Sequence, residues 1–153
     1  MNDREYMLAA LEQARAAAEE GEAPVGAVLV KDGRILACTH NRRESTGNPM
    51  DHAEVLALQE GAAHLGSWRL EGSTLYVTLE PCPMCAGAIF WSNVRRVVFG
   101  LSTASLNAMV GEETQDVLDL PSRELLAKGR KRIEVVGPVL EEEARRVHEG
   151  FWG

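Results

Sequence analysis

The pattern of apolar residues predicts an α/β fold of three layers, a central sheet of about five strands with helices on both faces. Three observations carry this. Helical apolar repeats open and close the chain, strand-like runs alternate with helical ones between them, and Asp32-Gly33 separates two apolar runs as a hairpin turn would. At 153 residues the chain is expected to fold as a single domain, 1–153.

Each element has its own signal. Met7, Leu11, Ala14 and Ala18 recur at i, i+4, i+7 and i+11, with Glu12, Arg15 and Glu19 outward, so residues 3–20 read as an amphipathic helix stopped by Gly21. Ala27 to Val30 and Arg34 to Cys38 form the hairpin, with Cys38 expected to be a small buried residue and not a ligand. Thr39 to Met50 is polar, contains Gly47-Asn48-Pro49 and reads as loop. Asp51 is placed to cap a helix that Val55, Leu56, Leu58 and Ala62 carry to about His64, with Glu54 as capping-box partner. Thr74 to Leu79 reads as strand, Pro83 to Ser92 as helix and Arg96 to Gly100 as strand. Residues 101–121 read as loop with a short turn, Ser122 to Lys128 as a short helix and Arg132 to Val136 as the last strand. Leu140, Ala144, Val147 and Phe151 again recur at i, i+4, i+7 and i+11, giving a final helix with Phe151 on its core stripe and Trp152 off it.

Composition narrows the function classes. Three cysteines, two of them in one C-x-x-C, do not make a disulfide framework, and a reducing compartment follows. The start, Met1-Asn2-Asp3-Arg4-Glu5, is charged at once with no apolar leader, and no run approaches the ~18 apolar residues of a membrane span. A cytoplasmic protein without a membrane partner is expected. Net charge is −7, spread as −4 over residues 1–100 and −3 over 101–153. Such a surface is a poor general platform for phosphate backbones. A basic group exists at Lys128, Arg130, Lys131 and Arg132, where a solvated turn is an equally good reading.

The chemistry gathers at Glu80-Pro81-Cys82-Pro83-Met84-Cys85, between a strand and a helix. On a helix, residues three apart share a face, so both sulfurs point one way. A bare C-x-x-C could be a redox pair or half of a structural zinc site, although no second C-x-x-C or H-x₃-H exists. Upstream, His52 and Glu54 also fall at an expected helix start. Together His52, Cys82 and Cys85 would supply three ligands of a catalytic zinc whose fourth position stays open for water. The positive ends of both helices would favour thiolates and a bound hydroxide. Two thiolates offset the zinc charge and leave its water less acidic, so a separate base is wanted, and Glu54 lies two residues from His52.

His52-Ala53-Glu54 with Pro81-Cys82-Pro83-Met84-Cys85 resembles the H-x-E…P-C-x-x-C signature of the zinc nucleobase deaminases. The likeness extends over Pro24 to Val30, His40-Asn41 and Thr74 to Ala88, covering roughly residues 3–100. These stretches are similar to bacterial tRNA adenosine deaminases, and to the guanine and small cytosine deaminases of the same cytidine/deoxycytidylate deaminase superfamily. The resemblance implies a cytidine deaminase-like fold with a five-stranded mixed sheet. It implies one Zn²⁺ per chain on His52, Cys82 and Cys85, and Glu54 as the catalytic proton shuttle. Asn41 would hydrogen-bond the substrate, the Ala53 N–H would face the base and Val25 would line the pocket. A homodimer is also implied, with Phe90 and Trp91 either at its interface or in the core.

The substrate is argued on residues 101–153. Leu101 to Val110 lacks the Gly-Ser-Leu-Met type run of the tRNA enzymes, and their basic C-terminal tail is absent. Instead residues 140–153 carry Glu141, Glu142, Glu143 and Glu149 against Arg145 and Arg146, a net of −2. Trp152 is placed to close over a flat base. A free base or nucleoside, of cytosine or guanine type, is therefore the expected substrate. The alternative is adenosine-to-inosine deamination at the tRNA wobble position, and a remoter one is a zinc-stabilised binding module without catalysis.

Overall fold

The computed structural model describes residues 1–111 and 117–152. Its centre is a five-stranded mixed sheet in the order β2-β1-β3-β4-β5. β1 (Gly26–Lys31) and β2 (Arg34–His40) form the antiparallel hairpin, β1 pairs antiparallel with β3 (Ser73–Leu79), and β4 (Arg96–Leu101) and β5 (Glu134–Val136) continue parallel to β3. The hairpin closes because Asp32 and Gly33 both take left-handed φ, 51° and 73°, as a two-residue primed turn requires.

Strand alternation sorts the core into two faces. Val28, Val30, Tyr76 and Val98 pack with Tyr6, Met7, Ala10 and Leu11 of α1 (Asp3–Glu19), Leu106 of α5 (Thr103–Val110) and Ala144 of α7 (Glu141–Arg146). On the other face, Ala27, Leu29, Leu75, Val77, Val97 and Phe99 pack with α3 (Ala53–Leu65), α4 (Pro83–Trp91) and α6 (Ser122–Leu126). This is the three-layer, cytidine deaminase-like arrangement. α1 is clasped to the sheet by Asp3, which accepts two hydrogen bonds from Arg96 at 2.8 and 2.6 Å and one from the Tyr76 hydroxyl at 2.6 Å. It crosses β1 so closely that a Cβ on Gly26 would lie 2.0 Å from the Ala10 carbonyl oxygen.

Several sequence expectations are corrected. Residues 103–110, expected as loop, form α5, because the Ser102 hydroxyl caps the Ser105 N–H at 3.1 Å and Leu106 has a core face to fill. Of the expected loop 101–121, residues 112–116 lie outside the described residues. Asp51 does not cap α3; its carboxylate accepts from the Thr46 hydroxyl at 2.7 Å and closes the loop around α2 (Arg43–Thr46), while His52 takes the cap position. Cys38 is exposed, since β2 is an edge strand and its side chain lines an open groove between α1 and α3. α7 stops at Arg146, so the helical phase that placed Phe151 inward and Trp152 outward does not extend to them, and it is Trp152 that packs on the core. Phe90 packs against the α3/α4 face of the core, whereas Trp91 is 75% exposed. No helix among the described residues is long and apolar enough to cross a membrane.

Candidate active site

Two helix starts, thirty residues apart in sequence, meet on one face of the sheet. His52 and Cys82 occupy the N-cap positions of α3 and α4 in extended conformation, and neither side chain caps its own helix. For Cys82 this follows from sequence: Pro83 opens the helix, and a residue before proline is held extended. Cys85 lies one turn in, on the same side.

The side chains turn towards each other. His52 Nδ1 lies 3.7 Å from Cys82 Sγ and 3.4 Å from Cys85 Sγ, and the three donor atoms all fall within 4.8 Å of one another. Tetrahedral zinc, with bonds of about 2.0–2.1 Å to nitrogen and about 2.3 Å to sulfur, sets its ligands about 3.5–3.8 Å apart. The group fits one zinc ion.

The electrostatics also suit a cation. A hydrogen bond from the Cys85 thiol, joined by His52 and the Cys85 backbone N–H, draws Cys82 down to about 4. The same hydrogen bond, with burial and Glu54, pushes Cys85 up. A coordinating thiol is deprotonated outright, so a bound divalent cation would make both thiolates. Glu54, 4% exposed, is raised by burial to about 7 despite the counteracting charge of His52. It sits beside both His52 and Cys85, not in the expected capping box.

The end of β2 is tied into this site. The Thr39 hydroxyl donates to the Ala53 carbonyl at 2.7 Å, the Asn41 N–H to the Val25 carbonyl at 3.1 Å and the Arg42 N–H to the Asp51 carbonyl at 3.0 Å. Asn41, Val25 and Ala53 are thereby held around the start of α3. Asn41 is 6% exposed, and its Oδ1 has no hydrogen-bond partner. Trp152 is different: it packs on the α1/α7 face, donates to His148 Nδ1 at 3.0 Å and touches Phe151 edge-on. None of its contacts among the described residues reaches the zinc-type group.

Against this geometry, the cytidine and deoxycytidylate deaminase zinc-binding region matches residues 1–101. The chain belongs to this deaminase family. It is accordingly a zinc-dependent hydrolase of C–N bonds. A tRNA-specific adenosine deaminase of Bacillus subtilis (strain 168) is 45% identical over 150 residues, covering 98% of this chain and 88% of the relative. A probable cytosine deaminase of Schizosaccharomyces pombe is 37% identical over 151 residues, covering 98% of this chain and 92% of the relative. The structure of guanine deaminase from Bacillus subtilis superposes with a TM-score of 0.69 at 36% identity, over 72% of this chain and 71% of that one.

Two buried carboxylates support the segments around this site in ways the sequence does not show. Glu22, fully buried, accepts from the Glu44 N–H at 3.0 Å, the Ser45 N–H at 2.6 Å and the Ser45 hydroxyl, pinning α2 between Asn41 and His52. Glu80, 8% exposed, accepts from the Thr103 N–H at 3.1 Å and from the Ser122 N–H and hydroxyl at 2.8 and 3.1 Å. It ties the loop before Cys82 to the starts of α5 and α6. The available signal was a carboxylate beside proline at the end of an apolar run; the donors it serves are far away in sequence.

Proposed function

We propose that this deaminase converts adenosine to inosine in a tRNA anticodon, as a single domain, with His52, Cys82 and Cys85 holding zinc. The observation that carries the reading is the 45% identity, across 98% of the chain, to a protein named as a tRNA-specific adenosine deaminase. The fold removes one objection. The acidic α7 packs on the sheet face opposite α3 and α4, whose starts carry the zinc-type ligands.

His52, Cys82 and Cys85 would hold zinc, which when bound would polarise the attacking water. Glu54 would take one proton of that water and deliver it to the ring nitrogen, then carry the second to the leaving amine. A carbon–oxygen bond forms at the amino-bearing carbon, the carbon–nitrogen bond breaks, and ammonia leaves. The buried Asn41 Oδ1 accepts a hydrogen bond from the substrate, which supplies the partner it otherwise lacks. The Ala53 N–H faces the base and Val25 lines the pocket. The exposed Met50, Trp68, Met84 and Trp91 supply apolar surface for a homodimer.

A second reading, a free cytosine- or guanine-type base or nucleoside, is supported by the 37% identity to a probable cytosine deaminase and by the net charge of −7. Incubation with an adenosine-containing anticodon stem-loop, with free cytosine, guanine and adenine, and with their nucleosides separates the two. Inosine in the RNA with no ammonia from the small molecules is expected. Ammonia from a free base or nucleoside, with no inosine in the RNA, would establish the second reading.

A further inference from the structure

Residues 123–132 hold five of the chain's 16 basic residues against one acid, a local net of +4 in a chain whose total is −7. The fold gathers four of these cations around a cleft of about 260 Å³ between α6 and β5, where Arg123, Arg130, Lys131 and Arg132 surround Leu126 and Ile133. Two of them are committed. Lys131 Nζ donates to the Phe90 carbonyl and to Asn93 Oδ1, each at 2.6 Å, and lies 4.4 Å from the Phe90 ring centroid. Arg123 donates to the Val135 carbonyl at 3.2 Å. Arg130 and Arg132 are exposed and make no hydrogen bond or ion pair among the described residues.

The cleft is held in place at the end of α4, one helix length from the zinc ligands at its start. Lys131 fastens its rim to the end of α4, and Gly129 lets the turn close on Phe90, since a Cβ there would lie 2.3 Å from the ring. α4 carries Cys82 and Cys85 at its start and Phe90 near its end. Its nine residues span about 14 Å at about 1.5 Å per residue. α6, which forms one wall of the cleft, packs in the same helical layer as α3 and α4. Planar guanidinium groups suit phosphate oxygens, which they grip in pairs.

We propose that Arg130 and Arg132 bind backbone phosphates of the substrate RNA, one helix length from the nucleotide held at the zinc ligands. The proposal rests on the tRNA reading, and its test does not use turnover. Binding of a labelled anticodon stem-loop RNA is measured by fluorescence anisotropy across a salt series. The zinc-loaded wild type is compared with the Arg130→Glu/Arg132→Glu and Arg130→Ala/Arg132→Ala proteins, with zinc content and unfolding midpoint confirming that each is folded. Two phosphate contacts contribute about 1.4–1.8 to the slope of log affinity against log salt, roughly a tenfold change between about 50 and about 200 mM. Both variants are expected to lose that much slope and to bind about tenfold or more weakly at the lower salt. Unchanged slope and affinity, or a wild type that does not bind the RNA, would overturn the proposal. So would binding through these arginines to an acidic peptide and not to RNA. RNA bound by the wild type, with slope and affinity unchanged in both variants, would overturn this contact while leaving the tRNA reading standing.

Discussion

Asn41 Oδ1 and His148 Nε2 are buried side-chain atoms without a partner among the described residues, and they have different consequences. Asn41 borders the candidate site, where a substrate can satisfy it. His148, 1% exposed, belongs to the opposite face, and its Nδ1 accepts from the Trp152 N–H, so the neutral ring carries its proton on Nε2. Burial alone pulls His148 down from 6.5 to about 4. Below about pH 6.5 the unfolded chain takes up a proton that the folded ring refuses. Stability therefore falls as pH drops through that window, by about 1.4 kcal/mol per pH unit at full slope, until the folded ring protonates as well. Urea unfolding at pH 7 and pH 5 should show His148→Gln losing about 2 kcal/mol less than wild type between the two. An equal loss in both proteins would remove His148 from the account.

At the scale of elements, the two carboxylates that organise the site's surroundings each serve several donors at once. Glu80 satisfies the starts of both α5 and α6 from the loop that precedes Cys82. Glu80→Gln replaces one acceptor oxygen with an amide, which cannot serve all three donors. It is expected to lower unfolding free energy by about 1–3 kcal/mol, the cost of stranding buried groups, while zinc content stays at one per chain. A wild-type midpoint in denaturant titration would show these bonds to be dispensable. The same residues explain what the sequence could reveal. The hairpin, α1, α3, α4 and the zinc-type ligands were legible because their signals are local: an Asp-Gly turn, a 3.6-residue period, a proline after Cys82. Glu22 and Glu80 were not, because their donors lie 22 to 42 positions away. α5 is not legible because its cap is a single serine with short, mixed residues behind it, and only the sheet supplies Leu106 with a partner. Trp152 departs from the helical period because α7 ends at Arg146.

For the whole molecule, the three layers bring two chain segments to one point, and the ligand set joins the starts of α3 and α4. Metal bound only by the folded state adds stability by mass action. Chelation is therefore expected to lower the thermal midpoint by several degrees, and zinc but not magnesium should restore it, since two thiolates and an imidazole suit the softer ion. An unchanged midpoint after verified metal loss would mean that α3 and α4 are held by packing alone. Zinc on His52, Cys82 and Cys85 is proposed to work with Glu54 as the proton carrier. Zinc per chain and inosine formed in the anticodon stem-loop are the decisive readouts, measured side by side for wild type and Glu54→Gln. One zinc per chain is expected in both proteins, with a fall in rate of about 10²–10⁴-fold or more in the variant, the usual share of a positioned acid–base group. A Glu54→Gln protein that keeps both its zinc and its rate would contradict this role.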